Sequence, residues 1–256
     1  MENVSFRNAR NLRLVGLLHR AGTERIVVMA HGFCNDKSSQ GRFDRIADAL
    51  HREGLSVLRF DFAGCGESDD DTIAIGKEVE DLRAALQFAR AAGYRRIALF
   101  GNSLGGTVCL RCAAPDVATM VLTGAGVGRT EVDPEFDWDA YYSQEQMRDI
   151  SEKGYLRDRV EGGWRAEVLV DRQMLLEYNA PDQADVLARV TCPVLLIHGD
   201  HPDDEEELML LERSQRGPKH LPPGSRVEVI AGAQHGFHDE IDRVIQLATG
   251  WFKERL

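Results

Sequence analysis

The sequence predicts an α/β fold, a mostly parallel, eight-stranded sheet with helices on both faces. Short apolar runs alternate with stretches of helical periodicity along the 256 residues, as in strands joined by crossover helices. Two runs, Ile26–Ala30 and Arg96–Phe100, carry few charges and many large apolar side chains, which is typical of strands buried on both faces. Apolar residues make up 43% of the chain, enough for a sizeable core. We therefore expect one domain spanning residues 1–256.

The individual elements follow from these runs, and the first two strands are expected to form a hairpin. The strands are predicted at Asn3–Phe6, Leu12–His19, Ile26–Ala30, Leu55–Asp61, Arg96–Phe100, Thr119–Leu122, Val194–His198 and Arg226–Ile230. The helices are predicted at Phe43–Arg52, Lys77–Arg90, Leu104–Ala113, Glu205–Gln215 and Asp239–Glu254. Within Lys77–Arg90, apolar residues recur at helical spacing and form one apolar face.

A long segment, about 128–190, interrupts this alternation. It holds four of the five tyrosines and two of the three tryptophans, with 15 acidic and 8 basic residues. Tyr155–Val160 and Trp164–Val170 could pair as a hairpin around Glu161–Gly163. We expect a lid over the carboxyl-terminal edge of the sheet, where ligands of open α/β sheets bind. Its aromatic residues either line a pocket or form the core of the lid itself: Trp138, Tyr141, Tyr142 and Trp164.

Charge and cysteine content narrow the function classes. A formal net charge of −11 disfavours nucleic acid as a partner, because its phosphates carry the same sign. Five scattered cysteines argue against a disulfide framework. Cys109 and Cys112 match C-x-x-C but lie inside a predicted helix, and no second pair completes a metal site.

No apolar run reaches the roughly 20 residues of a membrane span, and Met1–Leu14 has no apolar stretch of the signal-peptide type. We expect a cytoplasmic protein without a cofactor or metal. The oligomeric state stays open, with a homodimer as one alternative.

The candidate nucleophile is Ser103, in the G-x-S-x-G motif Gly101–Gly105. The motif follows a predicted strand and precedes a predicted helix. A sharp strand-to-helix turn forces its apex residue into strained backbone geometry, and side chains at Gly101 or Gly105 would collide with neighbouring backbone. The helix N-terminus beneath Ser103 favours negative charge. The spacing therefore predicts an exposed serine hydroxyl.

A serine nucleophile needs amide donors that already point at the developing oxyanion. One donor is expected from Leu104, the residue after the nucleophile. The other is expected from Phe33, in the loop after the strand Ile26–Ala30, where Gly32 lets the backbone pass close to the site. The alternative for His31–Phe33 is an ordinary strand-ending turn.

The base that activates Ser103 must be a histidine that follows the last strand. His235 fits, because small residues after Arg226–Ile230 lead into it. His238 is the competitor, but it lies where the last helix is expected to begin. His31 and His198 are expected to make structural hydrogen bonds.

The third member should be a carboxylate that orients His235. It should follow the strand Val194–His198, where the acids from Asp200 to Glu207 crowd together. Acids also favour helix N-termini, so the sequence indicates the region that contains the acid better than it indicates which residue the acid is. Asp203 is preferred, and Asp204 and Asp200 remain alternatives.

Together these residues resemble the α/β-hydrolase superfamily, and the nearest likeness is to bacterial carboxylesterases of the cinnamoyl/feruloyl esterase and serine-aminopeptidase-like group. The resemblance covers nearly the full chain. It rests on His31–Phe33, Asp61–Ser68, the Ser103 motif, His198–Asp200 and His235–Phe237. It implies the chain order serine, acid, histidine, and a lid between the sixth and seventh strands that corresponds to about 128–190.

Three residues depart from the family pattern. Ala63 stands where arginine is usual, and Cys65 where histidine or an aromatic residue is common. The family's acid lies three residues after the glycine of the His-Gly-Asp motif, a position that is Pro202 here. Proline cannot serve, and a shift by one residue would supply Asp203.

The expected function is a serine carboxylesterase that cleaves small to medium or aromatic esters through an acyl-enzyme. Ser103 would attack, His235 would be the base, Asp203 the acid, and the Phe33 and Leu104 amides the oxyanion hole. Thioesters or amides could use the same residues. A non-catalytic ligand-binding protein is the alternative from another class, since fold does not fix function and Pro202 leaves the acid in doubt.

Overall fold

Eight strands form the predicted mostly parallel sheet in a computed structural model that describes residues 1–160, 163–179 and 182–256. The strands of the described residues are β1 Glu2–Arg7, β2 Arg13–His19, β3 Arg25–Ala30, β4 Ser56–Phe60, β5 Thr72–Ile73, β6 Arg96–Asn102, β7 Val117–Thr123, β8 Tyr155–Arg159, β9 Glu167–Asp171, β10 Val194–Gly199 and β11 Arg226–Ile230. The main sheet has the order β1-β2-β4-β3-β6-β7-β10-β11. The β1–β2 and β2–β4 pairs are antiparallel, and the other pairs are parallel. The predicted fold class is confirmed.

Helices cover both faces of this sheet. They are α1 Arg42–Arg52, α2 Ile75–Ala91, α3 Leu104–Cys112, α4 Trp138–Tyr141, α5 Gln144–Lys153, α6 Arg172–Asn179, α7 Gln183–Leu187, α8 Glu205–Arg216 and α9 Ile241–Arg255. The five predicted helices and the eight predicted strands each begin and end within two residues of the expected bounds. None of the helices in the described residues is both long and apolar enough to cross a bilayer.

The strand β3 shows why the core divides in two. Successive side chains of a strand point to opposite faces of the sheet. Ile26 and Val28 therefore lie in the cluster packed under α2 and α3, whereas Val27 and Met29 lie in the cluster packed under α1 and α9. All four side chains are fully buried, as the run of apolar residues predicts.

Between β7 and β10 the chain leaves the main sheet and forms a second, three-stranded sheet. Strands β8 and β9 pair as an antiparallel hairpin, and β9 also pairs in parallel with β5, which follows β4 by eleven residues. The hairpin agrees with the sequence pattern, although the second strand begins at Glu167 and not at Trp164. Two residues of its predicted turn, Glu161 and Gly162, lie outside the described residues. The pairing with β5 was not predicted.

The parallel strands end at one edge of the main sheet, and the candidate site residues lie in the loops at this edge. The loops after β3, β6, β10 and β11 carry Phe33, Ser103, Asp200–Asp204 and His235, respectively. These segments lie far apart in sequence. Topology therefore brings together the residues that the motifs single out.

Candidate active site

Ser103 occupies the sharp turn between β6 and α3. Its φ of 52° and ψ of −122° place a non-glycine residue in a left-handed, strained conformation. The turn is anchored to β7, because the Ser103 amide donates to the Thr123 carbonyl oxygen (2.7 Å) and the Asn102 side chain donates to the Thr123 hydroxyl (3.0 Å). These bonds hold the strained turn and leave the Ser103 hydroxyl partly exposed at the sheet edge.

The glycines around the serine are required by close backbone contacts. A Cβ added at Gly101 would lie 2.6 Å from the Gly106 Cα, and one added at Gly105 would lie 2.2 Å from the Ala30 carbonyl oxygen. Neither atom is a flexible side-chain end that could move away. The structure therefore gives the steric reason for the G-x-S-x-G spacing.

The loop after β3 packs directly against this turn. A Cβ at Gly32 would come within 3.3 Å of the Ser103 Cβ, so the backbone of the loop lies beside the serine. Buried His31 fixes the loop: its Nδ1 donates to the Gly32 carbonyl oxygen (2.9 Å), and its Nε2 accepts from the Phe62 amide (3.2 Å). Burial lowers the pKa of His31, which favours this neutral tautomer. His31 thus has the structural hydrogen-bonding role that its position suggests.

Phe33 and Leu104, the residues whose amides are expected to bind an oxyanion, line the same pocket as Ser103. Neither amide donates a hydrogen bond to an acceptor within residues 1–160, 163–179 and 182–256. Leu104 is the first residue of α3, so its amide has no partner within the helix. Both donors remain available to a ligand oxygen beside Ser103.

His235 lies over the serine. Its Nε2 is 2.9 Å from the Ser103 Oγ, and its Nδ1 is 2.5 Å from the Glu207 Oε2. Gly124, with a φ of 55°, leaves space for the ring, because a Cβ there would lie 2.8 Å from it. The competitor His238 is exposed and does not contact Ser103. Serine, histidine and carboxylate therefore form one hydrogen-bonded chain.

The carboxylate in this chain is Glu207, and this corrects the expectation of Asp203. Asp203 is exposed, and its amide donates to His201 Nδ1 while its carboxylate does not reach His235. Asp200 accepts from the Gly232 amide (2.6 Å) at the base of the loop. The acid lies on the first turn of α8, where its buried side chain points back at the sheet edge, and not in the loop before it.

Asp204 links the base and the acid without touching the reacting groups. One of its carboxylate oxygens accepts from the Glu207 amide (3.0 Å) and caps α8. The other accepts from the His235 amide (2.8 Å). A single side chain therefore sets the distance between the helix that carries Glu207 and the loop that carries His235.

Glu207 is buried but fully hydrogen-bonded. Its Oε1 accepts from His198 Nδ1 (2.8 Å) and from the Gly199 amide (3.0 Å), and its Oε2 accepts from His235. Burial alone would raise the pKa of this carboxyl group, but the hydrogen bonds from the two histidines lower it to about 2. For His235, burial acts to lower the pKa, and the contact with Glu207 outweighs it, so the pKa lies above the ordinary 6.5. The geometry provides an ionised carboxylate and a basic imidazole.

A pocket opens beside Ser103 toward the segment 128–190. Its walls include Phe33, Leu104, Thr107, Phe136, Trp138, Tyr141, Met174, Tyr178, Glu206 and Leu210. Three of the four aromatic residues named in this segment have one of the two predicted roles, and Trp164 has neither. Trp138 and Tyr141 line the pocket, Tyr142 is buried and stacks on Trp138 (ring centroids 5.7 Å apart), and Trp164 is 66% exposed.

Solved structures of esterases share this fold. Est1E from Butyrivibrio proteoclasticus, in complex with ferulic acid, superimposes with a TM-score of 0.75 at 18% identity over 98% of both chains. The esterase domain of a Rhodothermus marinus protein superimposes with a TM-score of 0.69 at 24% identity, over 99% of this chain and 98% of that domain. At such identities the likeness concerns the fold.

Comparison of sequences also finds hydrolases among the relatives of this chain. The 2-hydroxy-6-oxononadienedioate/2-hydroxy-6-oxononatrienedioate hydrolase 1 of Dechloromonas aromatica is 30% identical over 105 residues, which are 40% of this chain and 36% of that protein. The chain spans about a third of the length of the curated relatives it matches. A family model matches far more of it, over residues 27–247. On that match, the chain belongs to the alpha/beta hydrolase family.

Proposed function

We propose that this chain is a serine carboxylesterase whose triad is Ser103, His235 and Glu207. The observation that carries the proposal is the hydrogen-bonded chain from the Ser103 Oγ through the His235 ring to the Glu207 Oε2, with distances of 2.9 Å and 2.5 Å. The strained backbone of Ser103 and the two free amides beside it support the same reaction class.

The reaction follows from these contacts. Ser103 Oγ attacks the ester carbonyl carbon while His235 Nε2 takes its proton, and the amides of Phe33 and Leu104 donate to the oxyanion. The tetrahedral intermediate collapses when His235 returns the proton to the alcohol oxygen, which leaves. A water molecule, deprotonated by His235, then attacks the acyl-enzyme. The carboxylic acid leaves as Ser103 regains its proton. Glu207 stays ionised, holds the ring and stabilises the imidazolium.

We propose that the segment 128–190 acts as the lid of this site. Phe136, Trp138, Tyr141 and Tyr178 come from it and line the pocket together with Leu104 and Phe33. Because most of the aromatic surface of the pocket belongs to this segment, its side chains would select the ester.

Activity is expected to fall as the pH is lowered through the pKa of His235. The base must be neutral to accept the serine proton, and its pKa is raised above 6.5, mainly by Glu207 and further by Glu206 and Asp204. Glu207, with a pKa of about 2, stays ionised throughout that range. A profile of kcat/KM against pH for a neutral ester should have its acidic midpoint above 6.5. A midpoint well below 6.5 would contradict the assigned contact between His235 and Glu207.

The competing hypothesis of a ligand-binding protein rests on Pro202, which stands where the family pattern has the catalytic acid. Glu207 provides a carboxylate at His235 by another route, so that support is lost. The two hypotheses differ in the reactivity of the serine, since only an activated hydroxyl reacts readily with a fluorophosphonate.

A fluorophosphonate probe should label the wild-type protein at Ser103 within minutes at about pH 8. Ser103→Ala is the control and should remain unlabelled while unfolding at the same temperature as the wild type. Peptide mapping locates the modified residue, and a panel of short, long and aromatic esters then measures turnover. A folded wild-type protein that resists the probe and cleaves none of the esters would favour the binding role.

A further inference from the structure

Four aromatic side chains that line the pocket beside Ser103 pack against one another. Phe136 and Trp138 have ring centroids 4.5 Å apart, and Tyr178 lies 5.4 Å from each of them. Tyr141 extends the cluster, 5.9 Å from Trp138 and 5.6 Å from Phe136. All four rings border the same cavity. Aromatic faces carry negative quadrupole potential, so this surface can attract a cation as well as an apolar group.

One charged side chain borders this cavity among the described residues, and it is negative. Glu206 lies on the first turn of α8, beside Leu210; it is exposed to solvent, and its carboxylate makes no ion pair within the described part of the chain. The neighbouring bases are already engaged: Arg213 faces Asp133 (3.7 Å), and Arg111 donates to the Glu177 carbonyl oxygen (2.7 Å). The pocket thus combines aromatic faces with an uncompensated carboxylate.

Glu206 acts on two of the tyrosines of this cluster. Burial and then the charge of Glu206 raise the pKa of Tyr178 to about 12, although Arg213 and Arg111 act to lower it. Burial followed by Asp158 and Glu206, among other groups, raises the pKa of Tyr141.

We propose that this pocket binds a cationic group, an ammonium or quaternary ammonium, carried by the ester substrate. The cation lies against Trp138 and its neighbouring rings and is paired with Glu206. This inference rests on the proposed esterase function and adds the substrate class to it. A neutral aromatic group could also stack on the rings, but it would gain no charge attraction from Glu206. An anionic group would be repelled.

Binding can be tested without turnover by comparing choline with 3,3-dimethylbutan-1-ol, in which carbon replaces the charged nitrogen at nearly the same shape. Ligand-observed NMR titrations on the wild-type protein should show choline binding at least three times more tightly. Glu206→Gln should weaken choline about threefold or more and leave the neutral alcohol unchanged. Glu205→Gln is the matched control, because Glu205 is an exposed acid of the same helical turn that does not border the pocket.

Trp138→Leu should weaken choline by about three- to tenfold and bring the two ligands to similar affinity. The proposal is overturned if both ligands bind equally to the wild type, or if Glu206→Gln and Glu205→Gln weaken choline to the same extent. Because these titrations need no catalysis, absent ester turnover with intact choline selectivity would refute the esterase assignment alone. The reverse result, turnover of neutral esters without selectivity, would refute the cation site alone. If choline binds, choline esters and 3,3-dimethylbutyl esters of the same acid should differ in KM in the same direction.

Discussion

Replacing Glu207 by glutamine is expected to lower kcat/KM for an ester by about 10⁴-fold. The amide oxygen of the new side chain would keep the donors of His198 and Gly199, which leaves its NH₂ group facing His235 Nδ1. His235 would then carry its proton on Nε2, the atom that must accept the proton of Ser103. The loss comes from the wrong tautomer and a less stable imidazolium, and it should appear mainly in kcat.

Asp203→Asn is the matched control for this prediction. It removes one negative charge four residues earlier, on an exposed side chain that does not reach His235, so activity should stay within about twofold of the wild type. Circular dichroism and thermal unfolding should show that both variants are folded. An active Glu207→Gln enzyme beside an inactive Asp203→Asn enzyme would return the role of acid to the loop.

Gly105→Ala is expected to destabilise the fold and impair the site together. The added Cβ would lie 2.2 Å from the Ala30 carbonyl oxygen and 2.4 Å from that of His31, and both atoms are backbone. Relief requires α3 and the end of β3 to separate, which displaces the loop that carries Phe33. A cost of about 3 kcal/mol or more is expected from overpacking of this kind, and Tm should fall by about 6–12 °C or the protein become insoluble.

Gly250→Ala provides the contrast, because Gly250 is an exposed residue of α9 and an added Cβ meets nothing within 4 Å. Alanine there should stabilise the helix by roughly 0.5–1 kcal/mol. Differential scanning calorimetry of the two variants and the wild type measures both effects. Equal Tm values for Gly105→Ala and the wild type would show that the turn can relax, contrary to the steric argument.

The parts of the site that could be predicted are those with local sequence rules. The serine turn combines a strand, two glycines at fixed spacing and a helix, and all of these lie within Arg96–Cys112. The histidine follows the last strand in a loop of small residues. Each of these signals reflects the backbone within a few residues of the functional group, so one sequence is enough to find it.

The acid could not be placed in this way, because the residues from Asp200 to Glu207 are chemically similar and the chain alone does not say which one turns inward. Its position depends on the phase of α8. Glu207, Leu210, Leu211 and Ser214 share the buried face of this helix, and this spacing is the signal that could have identified Glu207. The acids at Glu205 and Glu206 are exposed, Glu206 at the rim of the pocket, and both have the dipole-stabilising positions expected at a helix start.

The segment between β7 and β10 was the least predictable part of the fold. Its helices α4, α6 and α7 have eight residues or fewer, and its sheet depends on a pairing of Thr72–Ile73 with Leu169–Val170 across nearly a hundred residues. Long-range pairing of two residues has no local signature. Of the pairings in this sheet, the sequence pattern predicts only the hairpin β8–β9, whose strands are neighbours in sequence.

Because the carboxylate at His235 lies on α8, the residues that connect β10 to this helix are not the residues that contact His235. Pro202 and Asp203 merely join β10 to the helix and lie exposed, whereas Asp204 and Glu207 hold the geometry. Protein engineers could therefore attach a reporter dye or a surface tether at Asp203, four residues from Glu207, and leave the hydrogen bonds between Ser103, His235 and Glu207 intact.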